Sequence, residues 1–278
     1  MKILRSLAGF TAVLFVLFSM EAGISSCKKE STVYVKDTLY LPDTATCNCY
    51  DLADGLVAYY NFNNGNLNDS SGKGNHIIFN NAVKTADRFG RAGNAYLFNG
   101  NSNFMRVANS ASLNPTNAIT LMAIVKMNGF NNGFCHGNQV LSKGRKDDTV
   151  GVYSLRVADL ISDCYGKEDI TRETAYGFYG NAGNRAKVQD VNNFVKAGEW
   201  MTMVFTYDGI VSKFYMNGQL RGVAEGNAVF TPTATELLIG RAEDDSHPFW
   251  WNGAIDEIRI YDKALAQEAV KQLNNQRK

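Results

Sequence analysis

Only four prolines and three histidines occur in 278 residues, and the charges almost cancel, with 28 Lys and Arg against 27 Asp and Glu. His76, His136 and His247 stand far apart, and no H-E-x-x-H run, no G-x-S-x-G elbow and no phosphate loop occurs. The Gly-rich run GFYGNAGN lies between strand-like segments and does not open a helix, so it is no phosphate cradle. No long basic stretch exists either. Nucleic acid is therefore excluded as a partner, because phosphate binding depends on clustered Lys and Arg. Helical periodicity is also scarce, and the one long apolar run, LAGFTAVLFVLFSM at 7–20, falls short of the roughly 20 residues that span a bilayer. What remains is ample for one large domain: 45% of the residues are hydrophobic and 20% are charged.

The first 26 residues read as a secretory signal, with Lys2 and Arg5 ahead of the apolar run and small residues at its end. Ile24, Ser25, Ser26 and Cys27 resemble the lipobox of bacterial lipoproteins, which implies cleavage before Cys27, lipidation of that cysteine and a place in the bacterial cell envelope, on the outer membrane. An ordinary signal peptide with a stray cysteine is the competing reading. Loss of residues 1–26 removes Lys2, Arg5 and Glu21, and the formal charge of +1 becomes zero. The next segment, 27–50, repeats itself as YVKDT at 34–38 and YLPDT at 40–44 and contains Pro42. It reads as an extended linker reaching at most about 75 Å at about 3.3 Å per residue. Its alternation equally suits a strand added to the domain edge. The domain itself is expected over 51–278.

Four cysteines remain after Cys27, in an exported chain where disulfides form. QVLSKG and VGVYSLRVADL read as two strands joined at RKDDT, near residue 148. Residues equidistant from a turn face each other across a hairpin, so Cys135 and Cys164 are expected to pair. Cys47 and Cys49 are too close to bridge without strain. They are left to link chains, to stay reduced or to bind metal.

From residue 51 onward, short runs rich in β-branched and aromatic residues alternate with Gly, Asn, Asp and Ser clusters. Asn217-Gly218, between SKFYM and QLRGV, predicts a type I′ hairpin, which needs positive φ at both central residues. DKALAQEAVKQL alone reads as a helix, with Asp262 placed to cap it and Leu265, Ala269 and Leu273 along one side. The fold class that follows is all-β: an antiparallel two-sheet jelly-roll sandwich with a short C-terminal helix.

In the order GLVAYYNFNNGNLNDSSGKGNHI, AYLFNGNSNFMRVANS, EWMTMVFTYDGIVSKFYMNGQL and LLIGRAEDDSHPFWWNGAIDEIRIYDKALAQEAV, the chain resembles the laminin G-like, concanavalin A-like lectin/glucanase superfamily over about 55–274. One departure is Ile124, where the family often has tryptophan. The resemblance implies a jelly roll, often with a structural calcium and often with glycan binding. In the family the DSSGKGN loop and the last strand often share one Ca²⁺, so Asp69, Asn75 and Asp256 are the expected ligands. Ordinary Asx-turn hydrogen bonds are the alternative for the same loop. Strict alternation puts Asp256 on a face with Ala254, Ile258 and Ile260, and Glu257 with Ile255, Arg259 and Tyr261. On that parity the two acids cannot flank one glycosidic bond, and Glu257 forms a same-face ion pair with Arg259, worth under about 1 kcal/mol if exposed. The family's glucanases carry an E-x-D-x-x-E pattern where this chain has only IDEIR, so no catalytic residue is assigned. For sugar stacking the candidates are Trp250, His247 and Asp245 in DDSHPFWW, along with the aromatic run YGFYG, whereas Trp251 and Trp200 read as core. The expectation is a non-catalytic, lipid-anchored module that binds glycan or a surface protein. A glucanase-type hydrolase and a purely structural domain are the alternatives.

Overall fold

Two antiparallel sheets enclose the core in the computed structural model, which describes residues 50–129, 137–145, 150–159, 173–190, 195–243, 245 and 247–276. Numbered in chain order, the first sheet runs β13 (Gln219–Glu225), β12 (Val211–Met216), β11 (Trp200–Tyr207), β6 (Ile119–Met127), β15 (Asn252–Tyr261), β4 (Ala95–Asn99) and β3 (Val83–Thr85). Strand β1 (Leu56–Tyr60) joins it on the second half of β15. The second sheet runs β10 (Asn184–Gln189), β9 (Glu173–Asn181), β8 (Val152–Asp159), β7 (Gly137–Lys143), β14 (Leu237–Ile239), β5 (Met105–Val107) and β2 (Ile77–Asn80). Residues 50–278 form one unit by their contacts. Cys27, Cys47, Cys49, Cys135 and Cys164 all lie outside the described residues.

Side-chain alternation assigns the faces. Leu121, Ala123, Val125 and Met127 of β6 join Tyr153, Leu155 and Val157 of β8 in the core between the sheets, with Trp251 fully buried among them. The other face of β6, Met122 and Ile124, is apolar too, because the C-terminal helix α1 (Gln267–Asn275) lies over it with Ala269, Val270 and Leu273. Leu265 belongs to the same cluster but precedes the helix. Asp262 does not cap α1. The helix begins five residues later, with Ala266 at the N-cap and no side-chain cap, while Asp262 follows the last residue of β15. The Asn217-Gly218 turn forms as expected, with φ of 52° and 75°, and joins β12 to β13. The β7–β8 hairpin likewise forms, with Lys143 opposite Tyr153.

Inward tyrosines tie loops to this core. Tyr60 donates to the Asn75 carbonyl at 2.6 Å, Tyr153 to Leu113 at 3.2 Å and Tyr179 to Pro115 at 2.8 Å. Each hydroxyl thus satisfies its own hydrogen-bonding need while fixing a loop backbone. Burial pushes all three hydroxyls upward in pKa, because the phenolate would lose its hydration; at Tyr60 the Asp69 carboxylate adds to the effect.

Candidate functional site

The loop DSSGKGN is a closed hydrogen-bonded turn. Asp69 Oδ1 accepts the backbone N–H of Tyr59 at 2.9 Å and of Ser71 at 2.8 Å. Its Oδ2 accepts the Ser71 hydroxyl at 2.7 Å and the Asn75 N–H at 2.9 Å. Gly72 and Gly74 supply the positive φ, 82° and 78°, that lets the chain wrap one carboxylate. Asn75 is occupied as well: its amide donates to the Val57 carbonyl at 2.7 Å and to Ser112 at 2.9 Å, and its Oδ1 accepts Ser110 at 2.5 Å. His76 Nδ1 accepts the Asp69 N–H at 3.0 Å.

Asp256 sits in a different setting. A β-bulge between Ile255 and Glu257 inserts it as an extra residue in the pairing of β15 with β6. The bulge resets the parity: Ile255, Ile258 and Ile260 all face the inter-sheet core. Asp256 is therefore not on the apolar face that strict alternation assigned to it. It meets Arg88, whose Nη1 lies 3.3 Å from Asp256 Oδ2 and 3.8 Å from Glu257 Oε2. The expected pair of Glu257 with Arg259 forms at 2.7 Å, and it is buried. The two guanidiniums close the network onto the end of α1, where Arg88 donates to the Gln276 carbonyl at 2.6 Å and Arg259 to its Oε1 at 2.8 Å. Tyr59 lies under Arg259 at 4.1 Å, and burial, with the Glu257 carboxylate second, pushes its hydroxyl up.

These contacts test the expected calcium set. Both Asp69 oxygens already accept two donors each, both Asn75 amide protons are donated and its Oδ1 accepts Ser110, and Asp256 is paired with Arg88, which it shares with Glu257. Among the described residues no group of three His, Cys, Asp or Glu side chains converges. A hard cation needs six to eight oxygens with free lone pairs. Asp69, Asn75 and Asp256 do not fit that requirement, and the loop follows the Asx-turn alternative.

The sugar-stacking candidates divide. Trp250 is half-buried, and Arg241 lies over its ring at 4.8 Å and over Phe104 at 5.3 Å. Asp245, 94% exposed, holds Arg241 by an ion pair of 2.6 Å, so Trp250 and Asp245 meet through a residue that the sequence reading did not single out. The stack continues: Phe104 packs on Phe79 at 4.9 Å, and Arg106 lies over Phe79 at 5.1 Å. Met105 and Val107 point into the core, so Arg106 between them, and Phe79 paired opposite it, point outward from the second sheet. His247 instead stacks on Phe249 at 6.1 Å, and Phe249 covers the buried Arg156 at 5.2 Å. The two-residue spacing of Phe104 and Arg106 in FMRVA was the sequence signal for the first stack, since in an extended chain it points both side chains the same way. Trp200 also departs from expectation: it is half-buried on the α1 side of the first sheet and not in the core between the sheets.

Domain 4 of AbnA, an extracellular arabinanase from Geobacillus stearothermophilus solved with arabinotriose, superposes with a TM-score of 0.56 at 20% identity over 79% of this chain and 98% of that one. The binding domain of Paraclostridial Mosquitocidal Protein 1 gives 0.59 at 15% identity, over 81% of this chain and 52% of that one. The binding domain of Botulinum Neurotoxin DC, solved with SialylT, gives 0.59 at 11% identity over 81% and 52%. The chain thus spans about half the length of these toxin binding domains. No curated protein matches the sequence. The family profile that does match, over residues 99–271, is that of the concanavalin A-like lectin/glucanases, so the chain belongs to the concanavalin A-like lectin/glucanases superfamily.

Proposed function

We propose that this protein is a non-catalytic, lipid-anchored module of the bacterial cell envelope that binds carbohydrate through the stack around Trp250. The observation that carries the reading is the half-buried row Trp250, Arg241, Phe104, Phe79 and Arg106 on the outer side of the second sheet. Sugars present apolar ring faces to aromatics and hydroxyls to guanidinium and carboxylate groups, and this row offers both at once. Arabinotriose on the AbnA domain and SialylT on the neurotoxin domain give the reading further support. A surface protein is the alternative partner for the same row. The test is a glycan panel against the full chain, with Trp250→Ala and Arg241→Ala as controls. A sugar whose binding both substitutions weaken by about tenfold or more supports the reading. Binding that neither substitution changes sinks it.

A hydrolase reading finds no geometric support among the described acids. The neighbouring pair Asp256 and Glu257 is buried and charge-compensated by Arg88 and Arg259. A retaining pair needs two carboxyls that flank the sugar bond at about 5–5.5 Å. Polysaccharide hydrolysis abolished by a single acid-to-amide change would overturn the non-catalytic reading.

Anchoring is proposed on the signal at 1–26 and on Cys27, with 27–50 as a linker that carries the 51–278 domain at the outer membrane. Metabolic labelling with a fatty-acid analogue, lost in Cys27→Ala, tests it. The Cys135–Cys164 disulfide is proposed on the same export argument, and peptide mapping without reductant tests it.

A further inference from the structure

A cleft of about 300 Å³ opens on the first sheet, on the side that carries α1 and away from the Trp250 stack. It lies where the end of α1, the start of β11, the β12–β13 turn and the loop 86–92 come together. Its size is at the lower end for small-molecule sites, which run from about 300 to 1,000 Å³. Two aromatic side chains line it, Trp200 and Phe89, and Phe89 is 44% exposed.

Phe89 is exposed, on a backbone turn that Asp87 ties together. Asp87 accepts the backbone N–H of Phe89 and of Arg91, both at 2.9 Å, and the Arg91 Nε at 2.8 Å. Burial raises the Asp87 pKa, but these donors outweigh it and hold the carboxyl low. On this turn the guanidiniums of Arg88 and Arg91 stand 4.7 and 5.1 Å from the Phe89 ring. An apolar ring carried half in solvent on a hydrogen-bonded turn lowers the ordering cost when a ligand arrives. Across the cleft, the Lys126 ammonium lies 5.4 Å from the Trp200 ring.

The polar rim is made of amides with half of their capacity used internally. Asn217 Oδ1 accepts the Thr202 N–H at 2.8 Å, which leaves its amide donor for a ligand. Asn274 donates to Asn275 at 3.3 Å, which leaves its carbonyl as an acceptor. The charge of Arg88 is answered by Asp256 and Glu257 and is not left for an anion. Aromatic walls, amide donors and acceptors, an Arg88 charge answered by two carboxylates and a Lys126 ammonium set against the Trp200 ring together describe a receptor for a neutral polyhydroxylated ring.

We infer that this cleft is a second ligand site, for a single uncharged sugar residue, independent of the stack around Trp250. Saturation-transfer NMR on the full chain tests it with glucose, galactose, arabinose and N-acetylglucosamine as probes and glucuronic acid as the charged control. At least one neutral sugar should bind the Trp250→Ala variant, and the signal should fall about fivefold or more on adding Phe89→Ala or Asn274→Ala. Asn274 lies on the last turn of α1 at the surface, so Asn274→Ala remains a valid test if Phe89→Ala loosens its turn. The inference is overturned if no neutral sugar binds Trp250→Ala, if binding survives both cleft substitutions, or if glucuronic acid binds in preference. Failure of the Trp250 stack to bind glycans leaves this prediction standing, because its readout is taken with that stack removed.

Discussion

Asp69 and Asp256 are both buried carboxylates, and they are stabilised in opposite ways. Asp69 is wrapped by its own neighbourhood, with its four donors drawn from Tyr59, Ser71 and Asn75. Asp256 is answered by Arg88, a residue 168 positions away, and shares it with Glu257. The first carboxylate organises a local turn from neutral donors, whereas the second exists only once the sheet and helix have brought a guanidinium to it. Removing any partner of the second should cost more, because a buried charge is then left without its counter-ion.

The largest effect expected is for Arg88→Met, which leaves Asp256 and Glu257 side by side with one arginine fewer. Urea denaturation should show a loss of about 3–5 kcal/mol. A loss below about 1 kcal/mol would mean that the network relaxes into solvent and that the contrast is false. Asp69→Ala should cost less, about 1–3 kcal/mol, because the orphaned donors are neutral. If it costs more than Arg88→Met, the local turn and not the ion network is the more demanding element.

A smaller and pH-dependent difference separates the tyrosines beside the two acids. Tyr60, which holds the Asp69 loop, is raised well above its ordinary value, and Tyr59, beside Glu257, is raised by less. A group whose folded pKa is raised contributes stability that is complete below the unfolded value, about 10, and is lost as pH climbs past it. Alkaline unfolding curves should thus steepen above about pH 10 in the wild type. Tyr60→Phe should flatten them more than Tyr59→Phe, and equal flattening would show that the deeper burial of Tyr60 has no energetic consequence.

Lys143 has the opposite sign. Its buried ammonium donates to Asn109 at 2.8 Å and to the Thr233 carbonyl at 3.3 Å, and desolvation lowers its pKa to about 8. The unfolded chain holds that proton more tightly, so this residue's contribution to stability grows from about pH 8 to about 10.5. Lys143→Met should remove that rise, as melting temperatures at successive pH values would show. The smallest effect is expected from calcium, since the donor set around Asp69 leaves no free lone pairs. Melting temperatures in Ca²⁺ and in chelator should coincide. A calcium-dependent rise lost in Asp69→Ala would mean that the ion displaces the N–H donors.

Much of this was legible in the chain. The Asn217-Gly218 turn, the β7–β8 hairpin and the apolar line of Leu265, Ala269 and Leu273 depend on near neighbours or on simple periodicity, and the inward Trp251 was implied by the family resemblance. The errors fall where periodicity is interrupted. The bulge at Asp256 adds one residue and inverts the alternation from which its face was deduced. Asp262 has a capping residue's chemistry, but β15 continues to Tyr261 and the helix starts only at Gln267. Trp200 alternates with core residues, yet it ends up on the α1 side because the first sheet is apolar on both of its faces.

The same boundary runs through the functional readings. By itself the sequence determined the class of fold and the strand and turn positions, because these follow from backbone conformational preference and burial over a few residues; for the Asp69 loop it offered both a calcium site and an Asx turn. Only the tertiary structure decided that Arg88 meets Asp256, that Arg241 joins Trp250 to Phe104, and that Phe89 and Trp200 face one cleft. Those pairings join side chains from strands and loops that are distant in the chain. Their contact depends on sheet order and on one inserted residue, and no local preference encodes either.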